Sequence, residues 1–406
     1  MTATDTTPAD EAASTAETAA ETAAETAAEA GTETGTGTGP VAPPAEPDLL
    51  YSDTEDDLRA AVRALLADRA DARTVLAHVE GDSPYLPGLW DALAGRIGAA
   101  GLLVPEELGG QGASHREAAV VLEELGRGVT PAPYLTSAVM ATETLLALGA
   151  LGSPDGPTAD LLGGLASGER VAVLAVPLST APGADPVTDG PVPAVADAAA
   201  ADVLLVPRAD GLYAVPAADA VITPRVPLDL TRPLAVVDAR SAPGVRLADA
   251  ATGRAAVRRG LLAGAGLLAS EQLGLAEWCL EETVRHTRER HQFNRPVGSF
   301  QALKHRMARL WLELVGARAA ARAAADALAT GAADAELTVA VAQVYCARTA
   351  VHAAEECVQL LGGIGMTWEH PAHLALKRAK SAQTALGSAG RHREALAVLV
   401  DLPAPR

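Results

Sequence analysis

Residues 288–308 read RERHQFNRPVGSFQALKHRMA, and residues 359–393 read QLLGGIGMTWEHPAHLALKRAKSAQTALGSAGRHR. In the first stretch Arg290 offers a two-pronged guanidinium suited to a pyrophosphate, Gln292 an amide and Phe293 a flat apolar ring. Pro296 and Gly298 make a turn, and Gln301 falls in the first turn of the helix that follows. In the second stretch Gln359 precedes Gly362, Gly363 and Gly365, glycines that let a backbone approach a phosphate or an adenine closely. Taken singly, the first also reads as a charged helix end with a solvated loop, and the second as a helix C-cap.

Around both stretches the apolar pattern is helical. Ser299 could cap a helix that carries Phe300, Leu303, Met307, Leu310 and Leu314 along one seam. Asp334 could cap the next, with Leu337, Val341, Val344, Val351 and Val358 on its buried side. Long seams with short connections predict a C-terminal four-helix bundle over residues 250–406. Before it, over 169–249, the period shortens: VAVLAVPL, VLLVP, LYAVP and LAVVDA are separated by Pro, Gly and Asp. These predict a small, β-barrel-like middle domain, with Ser179–Ala201 reading as degenerate loop. Residues 49–168 predict an N-terminal helical domain. Leu58, Val62, Leu65 and Leu66 share a face behind Asp53-Thr54-Glu55, a second helix runs near Leu89–Ala100, and REAAVVLEELGR (116–127) makes a third. The fold class is mainly α with a small β domain.

Composition limits the function. The chain of 406 residues has 49% hydrophobic residues but only 3% aromatics, so its core rests on Ala, Leu and Val and favours close-packed helices. Of the net charge of −19, ten acids lie in residues 1–48 with no Lys or Arg, leaving −9 for the rest and disfavouring nucleic-acid binding through a basic face. That segment repeats ETAA three times and then runs through Gly/Thr and Pro, so it reads as a disordered acidic tail and linker. It lacks a basic start and an apolar h-region, and no run of about 18 uncharged apolar residues predicts a membrane span. Cys279, Cys346 and Cys357 have no metal-site spacing and read as small core residues of a protein in the reducing cytoplasm.

The two opening stretches, in this order and spacing, resemble the acyl-CoA dehydrogenase family. GLLVPEELGGQG (101–112) is similar to that family's N-terminal domain loop, and DLTRP (229–233) to a stretch late in its β domain. The resemblance covers about residues 50–400. It implies an oxidoreductase of lipid metabolism that uses FAD to remove two hydrogens from Cα and Cβ of an acyl-CoA thioester. It also implies an oligomer, in which the Arg-x-Gln-Phe loop of one subunit and the Gln-x-x-Gly-Gly segment of another hold the ADP part of FAD. Carried over, the cofactor residues are Arg290, Gln292, Phe293, Gln301, Gln359, Gly362 and Gly363.

The implied base is missing. An α proton of a thioester is weakly acidic and needs a positioned base. In the family this is a glutamate in a Glu-Gly-Thr loop, and the matching triplet here is Leu386-Gly387-Ser388. Other members place it on the first long helix of the bundle, at a position that falls near Gly264, where an arginine commonly adjacent becomes Ala265. Glu271 lies two turns further on, about 10 Å along the axis, a weak candidate for direct proton abstraction. Glu369 and His370 sit beside the glycine-rich segment and face the nucleotide end or solvent. The β-domain segment STAPGADPVTDGPVPAVADAAAAD (179–202) has no clear match to the family's flavin-ring loop.

Three readings follow. The chain is a dehydrogenase subunit that works with a base-bearing paralogue; or a self-sufficient flavoenzyme with an unusual base, an oxidase or a monooxygenase; or a scaffold that has lost FAD.

Overall fold

The computed structural model describes residues 46–81, 83–149, 156–187 and 190–403. The expected acidic tail therefore lies almost wholly outside the described residues.

The N-terminal part is helical. Ser52 caps α1 (Asp53–Arg69): its side chain accepts from the Glu55 amide while the Glu55 carboxylate accepts from the Ser52 amide at 2.7 Å. Val62 and Leu66 are the buried face of α1. After α2 (Ala72–His78) and a short α3 (Leu89–Asp91), Ser114 caps α4 (His115–Gly128) by the same reciprocal device with Glu117. A wide-turn helical stretch at Tyr134–Ala141 leads into α5 (Thr142–Gly149), and α6 (Pro157–Ser167) closes the region.

Seven strands follow: β1 (Ala172–Leu174), β2 (Val192–Ala196), β3 (Val203–Arg208), β4 (Gly211–Pro216), β5 (Val221–Arg225), β6 (Leu234–Asp238) and β7 (Val245–Asp249). They form two open sheets, ordered β1-β3-β4-β7 and β2-β6-β5, with β1 parallel to β3. The expected barrel does not close. β2 also lies inside the stretch expected to be loop, because its alternation is diluted by Pro and Ala. The unbroken apolar run of β1 has a direct cause: Val173 and Ala175 pack between the sheets while Ala172 and Leu174 join the helical core, so both faces are buried.

Asp249, accepting from the amides of Ala251 and Thr252, caps α7 (Ala250–Glu289), a helix roughly 60 Å long. A hairpin, β8 (His291–Gln292) and β9 (Arg295–Pro296), leads to α8 (Gln301–Thr330), and α9 (Ala335–Leu361), α10 (Ala372–Ala382) and α11 (Ala389–Leu399) complete the bundle. The expected four helices are thus three long and two short ones. Neither expected cap holds. Ser299 ends a tight 3-10 turn, and the residue before α8 is Phe300, over which the Arg295 guanidinium stacks at 3.9 Å. Asp334 precedes α9 but contributes its carbonyl, which accepts from the Thr338 hydroxyl, rather than a side-chain cap.

The expected seams shift as well. Of the seam expected on α8 only Leu310 and Leu314 are buried, while Phe300, Leu303 and Met307 remain partly open. On α9 the buried face is Ala335, Val339, Ala342, Cys346, Ala350, Val351, Ala353 and Cys357; of the expected seam Val351 is buried, Leu337, Val344 and Val358 are partly open, and Val341 is 43% exposed. Small side chains let α9 lie close to α7 and α8, and that contact outweighs burying the valine stripe. Cys279, Cys346 and Cys357 are free and buried. Among the described residues no helix is long and apolar enough to cross a membrane, and no cluster suits a metal.

Two devices attach the N-terminal helices to the bundle. Helices α4 and α7 meet backbone to backbone: a β-carbon on Gly126 would fall 2.1 Å from the Glu271 carbonyl oxygen, and one on Gly274 would fall 1.9 Å from that of Glu123. Glu55 also pairs with Arg322 of α8 at 2.7 Å, a side chain 0% exposed, and with Arg116 at 3.1 Å. A carboxylate between two guanidiniums satisfies charges that could not be buried singly.

Each device predicts a stability change. Gly274→Ala should force the two helices apart and lower unfolding free energy by about 1–3 kcal/mol or more in urea titration. Glu55→Ala leaves Arg322 buried without its partner and should cost about 3–5 kcal/mol, seen as a lower denaturation midpoint.

Candidate functional site

The loop between α10 and α11 carries Leu386 and Gly387, both in the left-handed region with φ of 54° and 103°. A leucine held there costs on the order of 1 kcal/mol, so the loop is pinned from outside. The Leu386 amide donates to the Leu178 carbonyl of the β domain at 2.7 Å. The side chain is 0% exposed. A β-carbon on Gly264 of α7 would lie 3.2 Å from Leu386 Cδ1 and 2.6 Å from Met140 Cγ. The two positions expected for a base, far apart in sequence, therefore converge on one point. That point is packed with the Leu386 and Met140 side chains, and Met140 was not foreseen.

Glu271, the other carboxylate considered, is held fast. Arg232 Nη2 approaches its Oε2 at 2.5 Å, and Arg378 Nη1 approaches Oε1 at 3.1 Å. Arg378 also forms an ion pair with Asp229, and it donates to the Thr231 hydroxyl through Nε and to the Thr231 carbonyl through Nη2. Burial acts to raise the Glu271 pKa, but the two guanidiniums outweigh it and hold the carboxyl below its usual range. A carboxylate with depressed basicity and both oxygens engaged is a poor proton acceptor. His370 is likewise engaged, with Glu282 at 3.2 Å and the Ala372 amide, while Glu369 is exposed.

The expected cofactor residues lie on the surface, around the end of α7, the β8–β9 hairpin with the start of α8, and the end of α9. Arg290 follows α7, and no ion pair engages its guanidinium among the described residues. Gln292 opens the β8–β9 hairpin, and Phe293, at its tip with φ of 51°, is 86% exposed. Gln301 starts α8 and is exposed. Gln359 is exposed in the last turn of α9, followed by Gly362, whose φ of 66° and ψ of −137° suit only glycine. β-Carbons at Gly362 and Gly363 would meet nothing within 4 Å, so internal packing does not demand glycine at Gly363. A free guanidinium, three amides, an outward ring and bare backbone suit the diphosphate and adenine of a dinucleotide. Among the described residues no hydrogen bond or ion pair joins the Arg290 segment to the Gln359 segment.

Next to the Leu386 loop a cavity of about 830 Å³ opens between the β1–β2 connection and α7, α9 and α11. Ser179–Pro186, expected to be featureless loop, forms one wall. The opposite walls include Arg258, Leu262, Val339 and His392. His392, 4% exposed, bonds the Leu386 carbonyl through Nε2 at 3.0 Å. Only its place five residues past Gly387 in the fold, beyond any sequence pattern, marks it as part of the site.

Comparison with known proteins agrees with this architecture. The acyl-CoA dehydrogenase N-terminal domain matches residues 52–169, and the acyl-CoA dehydrogenase C-terminal domain matches residues 251–399. The acyl-CoA dehydrogenase IpdE2 of Mycolicibacterium smegmatis is 35% identical over 337 residues, covering 83% of this chain and 95% of its own. The ChsE4–ChsE5 complex from Mycobacterium tuberculosis contains a chain of similar structure, with a TM-score of 0.76 and 25% identity over 88% of this chain and 100% of that one. A variant of the Tcur3481–Tcur3483 steroid ACAD gives 0.75 and 28%, over 86% and 98%. Family, helical and β layers, and FAD as the family's cofactor all agree. This chain belongs to the acyl-CoA dehydrogenase family.

Proposed function

We propose that this chain is the base-lacking subunit of a heteromeric, FAD-dependent acyl-CoA dehydrogenase, whose paralogous partner carries the glutamate. The observation that carries the reading is the packing of Leu386 and Met140 at the point where both base positions converge. Leucine and methionine accept no proton, and Glu271 is committed to Arg232 and Arg378. The surface segments at Arg290 and Gln359 suit a nucleotide held across a subunit boundary, where each chain supplies half of the contacts. FAD supplies hydride acceptance when bound. This chain's part is to bind and orient, with Arg290 toward the diphosphate and Gly362 and Gly363 toward the nucleotide face.

Similarity to chains of a two-protein complex and of a paired steroid enzyme supports a paralogous partner. The same similarity makes a fused-ring acyl-CoA thioester the substrate class to test first.

The chain alone should show little flavin absorbance near 450 nm and no acyl-CoA-dependent dye reduction. Mixed or co-expressed with a base-bearing paralogue, it should yield a yellow complex that reduces the dye. Full turnover by the isolated chain would sink the proposal in favour of a self-sufficient flavoenzyme, and a colourless mixture would favour a scaffold. A second expectation concerns Leu386→Glu. Met140 still fills the point, and a carboxyl buried among apolar groups resists ionisation, so the variant chain alone should gain no measurable turnover.

A further inference from the structure

Away from the Leu386 loop and the nucleotide segments, a second cavity of about 310 Å³ opens where α1, α4, α7 and α10 meet the turn into α2. That volume lies at the lower end of the range for small-molecule sites. Leu66, Ala70, Val75, Val129, Trp278 and Leu374 make an apolar wall. The wall adjoins the Glu271 clamp: Trp278 lies one turn past Gly274, and Leu374 one turn before Arg378. Val129, which ends α4, has φ of 46° and ψ of 42°, a left-handed backbone that β-branched residues seldom hold. Its amide is fixed by the carbonyls of Leu125 and Gly126, and its side chain is part of the wall.

The four charged groups on the wall, two of each sign, are already engaged. Arg63 donates to both oxygens of Glu124, at 2.8 and 2.7 Å. Arg127 donates to both oxygens of Glu281, at 3.0 and 2.5 Å. Asp71 accepts from the Thr74 amide at 2.8 Å and caps α2. A charged ligand would lose its hydration here without gaining an unpaired counter-charge. Trp278 is different. It is half-buried, and among the described residues nothing accepts its indole N–H and no ring or cation stacks on it. The indole nitrogen only donates. The cavity therefore combines an apolar wall, an unstacked aromatic ring and one unclaimed donor.

We propose that this cavity is a binding site for an uncharged apolar molecule of one or two rings that carries a hydrogen-bond acceptor. The ring packs on Trp278 and the acceptor meets its indole N–H. The inference goes beyond the heteromer reading, because the site uses none of the residues at the base position or in the Arg290 and Gln359 segments. A bound molecule touches α1, α4, α7 and α10 at once and stabilises their junction by mass action.

The test titrates the full-length chain with three probes of similar shape, 4-fluoroacetophenone, 4-fluorobenzoate and 4-fluorobenzylammonium, followed by fluorine NMR. The neutral ketone should bind saturably with a Kd on the order of 0.1–1 mM, as suits about ten non-hydrogen atoms, and should raise the melting midpoint. The anion and the cation should each bind at least about tenfold more weakly. Ala67→Trp fills the cavity from an exposed position of α1, so it should fold and abolish ketone binding. Trp278→Phe keeps a ring but loses the N–H, and should weaken binding about threefold to tenfold. In protein labelled with 15N-tryptophan, the indole resonance that Trp278→Phe deletes should shift as the ketone is added. No saturable binding, equal binding of all three probes, ketone binding that survives Ala67→Trp, or an unmoved Trp278 resonance overturns the proposal. So does an unmodified chain that self-associates while Ala67→Trp stays monomeric, since a side chain of a second copy then fills the cavity. Because binding is read without turnover, an inactive heteromer leaves this result intact, and a failed titration leaves the heteromer reading intact.

Discussion

Two guanidiniums, Arg232 from the segment before β6 and Arg378 from α10, close on the carboxylate of Glu271 midway along α7. Asp229 supplies the compensating negative charge for Arg378, and Thr231 satisfies its remaining donors. At the same residue the Glu271 carbonyl receives Gly126 of α4 in backbone contact. The N-terminal helices, the β domain and the bundle therefore meet within one turn of one helix. Ions buried at this depth are tolerated only when each has its partner, so the cluster forms as a unit or fails as one. The arrangement sets the distance between the β1–β2 wall, α7 and the Leu386 loop, and with it the cleft.

The same clamp explains why the nearest carboxylate is not a substitute base. Catalytic basicity requires a carboxylate with a free lone pair and a pKa raised toward neutrality. Glu271 has neither: its charge is what holds three layers together. The position where the resemblance expects the base is filled by packing, with Leu386 bonded through its amide to the β domain and its side chain against Gly264 and Met140. No hole is left where these side chains meet. In a close-packed interior a void forfeits contacts on every side, so a filled position is the stable alternative to a catalytic one.

Much of this was legible in the chain itself. The Arg-x-Gln-Phe and Gln-x-x-Gly-Gly segments carried the family, and the Leu386-Gly387-Ser388 triplet put a side chain that accepts no proton where the resemblance expects the base. The errors share a cause. The α9 seam was placed on its valines because periodicity weighs bulk, whereas close approach of α7 and α8 favoured the alanine and cysteine face. Ser299 and Asp334 have capping side chains, but the hairpin and the preceding turn set the backbone so that neither side chain caps. β2 was missed because Pro193 and two alanines dilute its alternation, and its pairing with β6 is a long-range fact. Met140 and His392 carried no local signal at all.

By itself the sequence determined the helical and strand-rich regions, the family resemblance at the Arg290 and Gln359 segments, and that no carboxylate stands at either position where that resemblance expects a base. These are properties of residue type and spacing, which local chemistry dictates. Only the tertiary structure decided that Leu386, Gly264 and Met140 meet at one point, that Glu271 is clamped, and that His392 bonds the Leu386 carbonyl. Each depends on side chains separated by many residues being brought within a few ångströms, and their charge state and accessibility exist only once the domains have closed on one another.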